Sequence, residues 1–292
     1  LMEHFSLGGN YLLGTIPASL GIFTGAYLFD LGNNLLSGSI PDTLGQLMKV
    51  QFFNLSNNAL DGTIPSSILS IVALTTLDLS FNALTGTIDK TIGRLSHLQF
   101  MYLQYNLLRG TLPSTLSNLA ELQSLLLNNN DFSGPISEVF NATLQRNLSI
   151  IQISSNRLTG ELPDEIFQLP GLQTFVAVVN CFHGSIPLSV CSSRNLLSLT
   201  LDGLQSARFC QRRILPLISS AYLTKYQLKG GIPSCIFGLP ALKALHLSGN
   251  GLTGSLPENA VISPTIESLS LSNNILTGSI PLNFQTKQWY LF

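Results

Sequence analysis

Charge is scarce in this chain. Lys and Arg number 14 and Asp and Glu 15 among 292 residues, a charged fraction of 10% with a formal net charge of −1. Such a balance excludes the basic footprint of a nucleic-acid-binding protein and the polybasic patch of a membrane-surface protein. Long apolar runs are missing too. Hydrophobic residues make up 45% of the chain, yet no stretch approaches the ~18 to 20 uninterrupted apolar residues a spanning helix needs. The four cysteines include no C-x-x-C pair, and no compact Cys/His cluster exists, which argues against a zinc site. His4, His97, His183 and His246 fall in unrelated positions. No Ser-His-Asp set, H-E-x-x-H helix, phosphate loop or kinase signature can be drawn from what remains.

What is abundant is asparagine at a fixed interval. Asn10, Asn34, Asn58, Asn82, Asn106 and Asn130 recur every 24 residues, and the register continues through Asn156, Asn180, Asn250 and Asn274. Around each runs L-x-L-x-x-N-x-L-x-G-x-I-P, clear from Leu77 to Ile88, where only the Pro is lacking. A period of this length means stacked coils rather than a globular core. Apolar residues five and three places before the Asn lie on one face of a short strand and point inward. An Asn amide both donates and accepts, so a buried ladder of them satisfies the backbone of each turn. Gly four residues later is present in eleven of twelve coils, Arg208 being the exception. The following Pro fixes φ where a solvent-facing turn needs no N–H.

This continuation resembles the plant-type leucine-rich repeat of receptor-like kinase ectodomains, receptor-like proteins and polygalacturonase-inhibiting proteins, over residues 5 to 284. The resemblance implies an α/β solenoid of about 12 coils, wound as a right-handed superhelix. It also implies a concave parallel β-sheet, with short second strands or 3-10 turns on the other faces. Residues 1–292 then form one domain, with regular coils over 1–198 and 233–292 and irregular coils over 199–232.

The irregular part holds Arg208, Arg212 and Arg213. It reads as a binding insertion or a decayed repeat, and a structural kink is the preferred expectation. Continuing the register from Asn180 puts Leu204 and then Tyr226 in ladder slots, Cys210 at an inward position, and Cys191 and Cys235 on convex turns. A disulfide such as Cys191 to Cys210 or Cys210 to Cys235 would staple these coils in an oxidising compartment; free thiols stay open as an alternative. Three N-x-S/T sequons occur, at Asn54, Asn141 and Asn147. Asn141 and Asn147 lie in the one repeat of 26 residues, where a surface loop is expected, so glycosylation is assigned to them. Asn54 falls on the concave face, where a glycan would block binding.

The outward column four residues before each ladder position reads Ser6, Asp30, Asn54, Asp78, Tyr102, Leu126, Gln152, Val176, Thr200, Tyr222, His246, Ser270. With its flanking columns it gathers Phe81, Phe100, Tyr102, Tyr105, Leu126, Gln152, Val176, Val178 and Val179 into an apolar, partly aromatic patch, the expected ligand-binding surface. Asp30 and Asp78 stand two coils apart, roughly 10 Å, at or beyond the reach of paired glycosidase carboxylates, and nothing encloses them.

The expectation is therefore a non-catalytic recognition module with no cofactor and no metal, on the cell surface or outside the cell. It would bind a protein, peptide or glycan, with a co-receptor ectodomain as a further partner, no nucleic acid, and a membrane only through a segment absent from this chain. A receptor-like ectodomain is the first reading. A secreted inhibitor of a wall-degrading enzyme or an ice-binding protein is the second, and an intracellular scaffold the third. Because Leu1 lies inside a repeat and Phe292 follows closely on Pro281, a fragment lacking both caps is expected; in a complete chain Phe284 and Trp289 would serve as the cap.

Overall fold

Three extended residues open each coil, with the middle one turned inward. The computed structural model describes residues 2–204, 210–213, 222–224, 228–287 and 289. Two compact units emerge, Leu1–Ser133 with Glu138–Leu148, and Gly134–Ser137 with Ser149–Phe292. In the first, the strands His4–Ser6, Leu28–Asp30, Phe52–Asn54, Thr76–Asp78, Phe100–Tyr102 and Ser124–Leu126 pair in parallel, each shifted by one whole repeat. In the second, Ile150–Gln152, Thr174–Val176, Ser198–Thr200, Ala244–His246 and Ser268–Ser270 also pair in parallel, by one repeat at every step except that from Ser198–Thr200 to Ala244–His246.

The inward positions fill the core, with Phe29, Phe53, Leu77, Leu79, Met101 and Leu103 all buried. Phe5, Phe29 and Phe53 stack ring on ring, with centroids 5.2 and 5.4 Å apart, and such offset pairs add to simple area burial. The asparagine ladder bridges coils. Asn106 Oδ1 accepts from the Leu84 N–H at 3.0 Å, while its Nδ2 donates to the carbonyls of Leu79 at 2.9 Å and Leu103 at 3.2 Å. Each side chain thus satisfies backbone groups of its own coil and the preceding one, which water cannot reach.

The glycine column has a steric cause as well as a conformational one. Gly86 and Gly110 sit at φ +81° and +83°. A Cβ at either would lie 2.8 Å from the Thr63 γ-methyl and 2.7 Å from the Thr87 γ-methyl. Threonine of one coil lies over the bare backbone of the next. The prolines Pro17, Pro41, Pro113 and Pro187 cap 3-10 turns from an extended conformation, and Pro233 stands at the same place before Ser234–Gly238. Where the sequence lacks that proline, Asp89 takes the capping place, and its carboxylate accepts from the Thr91 N–H at 2.8 Å.

In the irregular region the strand register skips a stretch of chain. Thr200 pairs directly with His246, and the Leu204 N–H donates to Asn250 Oδ1 across 46 residues of sequence. The register therefore makes an excursion of 46 residues between paired coils, and Leu228 bridges to Gly184 on the second face. Regular structure extends past 198 to Leu204, and among the described residues the parallel strands of this face number six in the first unit and five in the second. Tyr222 is not in the concave column: the main chain of Tyr222–Thr224 pairs antiparallel with Gln211–Arg213. The ladder slot expected at Tyr226, and Arg208, lie outside the described residues.

The same excursion corrects the disulfides. Cys181 bonds Cys210 and Cys191 bonds Cys235, with Cα–Cα distances of 5.3 and 5.5 Å, so neither Cys191–Cys210 nor Cys210–Cys235 forms. Because Thr200 pairs with His246 across that excursion, Ser234–Gly238 becomes the convex segment next to Leu188–Ser192, which brings Cys235 to Cys191. Cys210, placed before the chain rejoins its coil, meets Cys181 just beyond the ladder. Phe284 is buried edge-on to Phe237, and the Trp289 Nε1–H donates to its carbonyl at 3.0 Å. Among the described residues no helix is long and apolar enough to cross a membrane.

Candidate ligand-recognition surface

Immediately before each ladder residue the backbone turns through the left-handed region. Asn33, Asn57, Asn129 and Asn273 have φ from 53° to 56°, with Gly9, Gly203 and Gly249 at the same register. Glycine and asparagine enter this region at little cost, whereas bulky and β-branched residues seldom do. Ser155 at φ 52° is neither, and Phe81 at φ 53°, Tyr105 at φ 56° and Val179 at φ 56° are the bulky or β-branched exceptions. Val179 packs on the buried Cys181–Cys210 bond.

Phe81 and Tyr105 have no such cover. Their rings stack with centroids 4.5 Å apart and planes 13° from parallel, and they stay 43% and 47% exposed. Beside Phe81 opens a depression of about 370 Å³ lined by Asn34, Leu35, Asn57, Asn58, Ala59 and Phe81. On the strands themselves, Phe100 and Tyr102 are half-buried with centroids 6.2 Å apart, and Leu126 stands beside Tyr102 in register. The first unit thus brings together five of the expected patch residues: Phe81, Phe100, Tyr102, Tyr105 and Leu126. The second unit holds the rest. Gln152 is in register with Val176, and the Val178 N–H donates to Ser154 Oγ at 3.1 Å.

The carboxylates of the concave column are tied into local hydrogen bonds. Asp30 Oδ1 accepts from the Gly32 N–H at 2.9 Å and Asn54 Nδ2 at 2.8 Å, and its Oδ2 accepts from Ser6 Oγ at 3.2 Å. Asn54 Oδ1 in turn accepts from the Ser56 N–H and Oγ, so the sequon side chain is engaged at both ends. At Asn141 the Oδ1 accepts from the Thr143 N–H and Oγ1 and the Leu144 N–H, while Asn147 is exposed. The two extra residues of that repeat are accommodated by Gln145, whose buried amide donates to the Leu116 carbonyl at 3.0 Å and accepts from the Asn141 N–H at 2.9 Å.

Sequence reasoning missed the left-handed position, the depression beside Phe81, and half-exposed Phe52 at the far side of the same face. A signal existed. Asn and Gly recur one place before the ladder, so an aromatic there marks a residue kept for something other than backbone comfort.

Two family models match, Leucine rich repeat over residues 72–132 and Leucine Rich Repeat over 49–71, 147–169, 241–260 and 265–286. No curated protein matches. Among solved structures, the plant peptide hormone receptor RGFR1 in complex with RGF2 is 30% identical, with a TM-score of 0.84 over 97% of this chain and 41% of that one. The ectodomain of the receptor kinase GASSHO1/SCHENGEN3 from Arabidopsis thaliana, in complex with CASPARIAN STRIP INTEGRITY FACTOR 2, is 30% identical, with a TM-score of 0.82 over 97% and 34%. The Arabidopsis receptor kinase HAESA, with the peptide hormone IDA and the co-receptor SERK1, is 31% identical, with a TM-score of 0.64 over 97% and 52%. This chain spans about half or less of each of those chains. The chain belongs to the leucine-rich-repeat family in its plant-type form.

Proposed function

We propose that the chain is the ligand-recognition part of a receptor-like protein outside the cell, non-catalytic, which takes an extended peptide on the concave face of its first unit. The observation that carries this reading is the Phe81–Tyr105 pair. Two exposed, mutually stacked rings stand on backbone positions where Asn or Gly would be free of strain, and strain kept at a surface marks use there. Aromatic anchors of this kind contribute much of the energy of protein and peptide interfaces. The peptide hormones bound to RGFR1 and HAESA, and the co-receptor bound to HAESA, support a peptide ligand and a co-receptor ectodomain as partners. Two disulfides accord with an oxidising compartment.

The test is binding by a protein whose fold is untouched. Peptides selected from a random extended-peptide display library on the secreted chain should bind Phe81→Asn and Tyr105→Asn at least about tenfold more weakly, the loss of one anchor. Asparagine suits the left-handed backbone, so the melting temperature should hold. Undiminished binding by both variants, or selection of glycans in place of peptides on a parallel array, would overturn the reading.

A further inference from the structure

The outward positions of the six first-unit strands and the turns that follow carry two carboxylates, Asp30 and Asp78, and no lysine or arginine. The two acids are wired differently. Asp30 accepts protein hydrogen bonds at both oxygens. Asp78 accepts only at Oδ1, from the Ser80 N–H at 3.0 Å and Ser80 Oγ at 2.7 Å. Those two bonds fix the carboxylate, and its Oδ2 meets no donor among the described residues.

Aromatic residues stand near that carboxylate in the sheet. Asp78 is in register with Asn54 on one side and Tyr102 on the other, and Thr76 on the same strand lies between Phe52 and Phe100. Neighbouring strands stand ~4.8 Å apart, so these rings line the next position on either side, and Phe81 follows on the same coil. A fixed carboxylate with a free oxygen on a face that also carries aromatic side chains matches one ligand chemistry above others. A guanidinium or ammonium group pairs with the carboxylate and lies against the rings at once. An anionic group would be repelled by both acids, and an apolar one would cover Oδ2 without pairing it.

We propose that Asp78 is the specificity-determining anchor for a basic side chain, an arginine or lysine of an extended peptide whose apolar neighbours lie on Phe81 and Tyr105. This rests on the peptide reading above and names the ligand's chemistry within it.

The selected library peptides provide the test. Arg or Lys should be enriched at one position, and binding should weaken with added salt. Asp78→Asn should weaken binding at least about tenfold, as loss of a charge-assisted pair does. Asparagine keeps an acceptor for Ser80, so the fold is preserved, and Asp61→Asn on the second face should leave affinity unchanged. Replacing the peptide's arginine by citrulline should cost the same factor in the wild type and nothing more in Asp78→Asn. Peptides lacking a basic residue, insensitive to Asp78→Asn yet lost on Tyr105→Asn, would overturn the cation proposal and leave the peptide reading standing. Failure to enrich any peptide would overturn both.

Discussion

Gly86 and Thr63 illustrate how one residue type dictates another a coil away. The φ of +81° is open to glycine, and the space where a Cβ would sit is filled by the Thr63 γ-methyl at 2.8 Å. Gly86→Ala should therefore lower unfolding free energy by about 1–3 kcal/mol, combining left-handed strain with the clash. Denaturant unfolding measures this, and Thr63→Ser in the same chain should recover the steric share but not the backbone share. The glycine column was readable as a requirement; that a threonine methyl lies over it was not, because the pairing of second-face strands sets that contact. Phe81 and Tyr105 present the converse. Their residue types were visible as patch members, but their left-handed backbone and mutual stacking depend on where the turn places them.

At the scale of elements, the convex turns and the excursion behave differently. The Asp89 carboxyl is held below the usual carboxylate range, first by the Thr91 N–H it accepts at the start of its 3-10 turn. An unfolded chain binds the proton more readily than the folded one, so the cap stabilises above the ordinary carboxylate range and is lost as pH falls through the lowered value. Asp89→Asn should melt below the wild type at neutral pH, and the two curves should converge on acidification; a constant offset would count against the cap. In the ladder slot of Leu204 a leucine stands where an asparagine would, and the Phe182 N–H that a ladder amide would have taken donates instead to the Leu204 carbonyl at 3.2 Å. Cys181–Cys210 holds that junction. Cys181→Ala with Cys210→Ala should destabilise the chain by about 2–4 kcal/mol, the usual effect of removing a closed loop. Hydrogen exchange at Phe182 should quicken while Leu103 stays protected. The excursion escaped sequence reasoning because 46 residues approximates two coils, and a register continued by counting lands on plausible but wrong slots.

For the molecule as a whole, secretion leaves a mass signature. Asn141 Nδ2 and exposed Asn147 are open to a glycan, whereas Asn54 Nδ2 is held on Asp30 at 2.8 Å. Intact mass after expression through a eukaryotic secretory pathway should show glycans at Asn141 and Asn147, none at Asn54, and no free thiol. An unmodified chain with four thiols would sink the extracellular reading. The repeat itself, its inward leucines and phenylalanines, the ladder and the glycine column were all decided by the sequence, because each is a local pattern that recurs every 24 residues and stacking with a neighbour is the one way to bury it. Which cysteines pair, which strand follows Thr200, and which carboxylate keeps an oxygen free were decided only by the tertiary structure. Each depends on two segments far apart in sequence meeting at one place, and spacing alone does not determine where an irregular chain rejoins the stack.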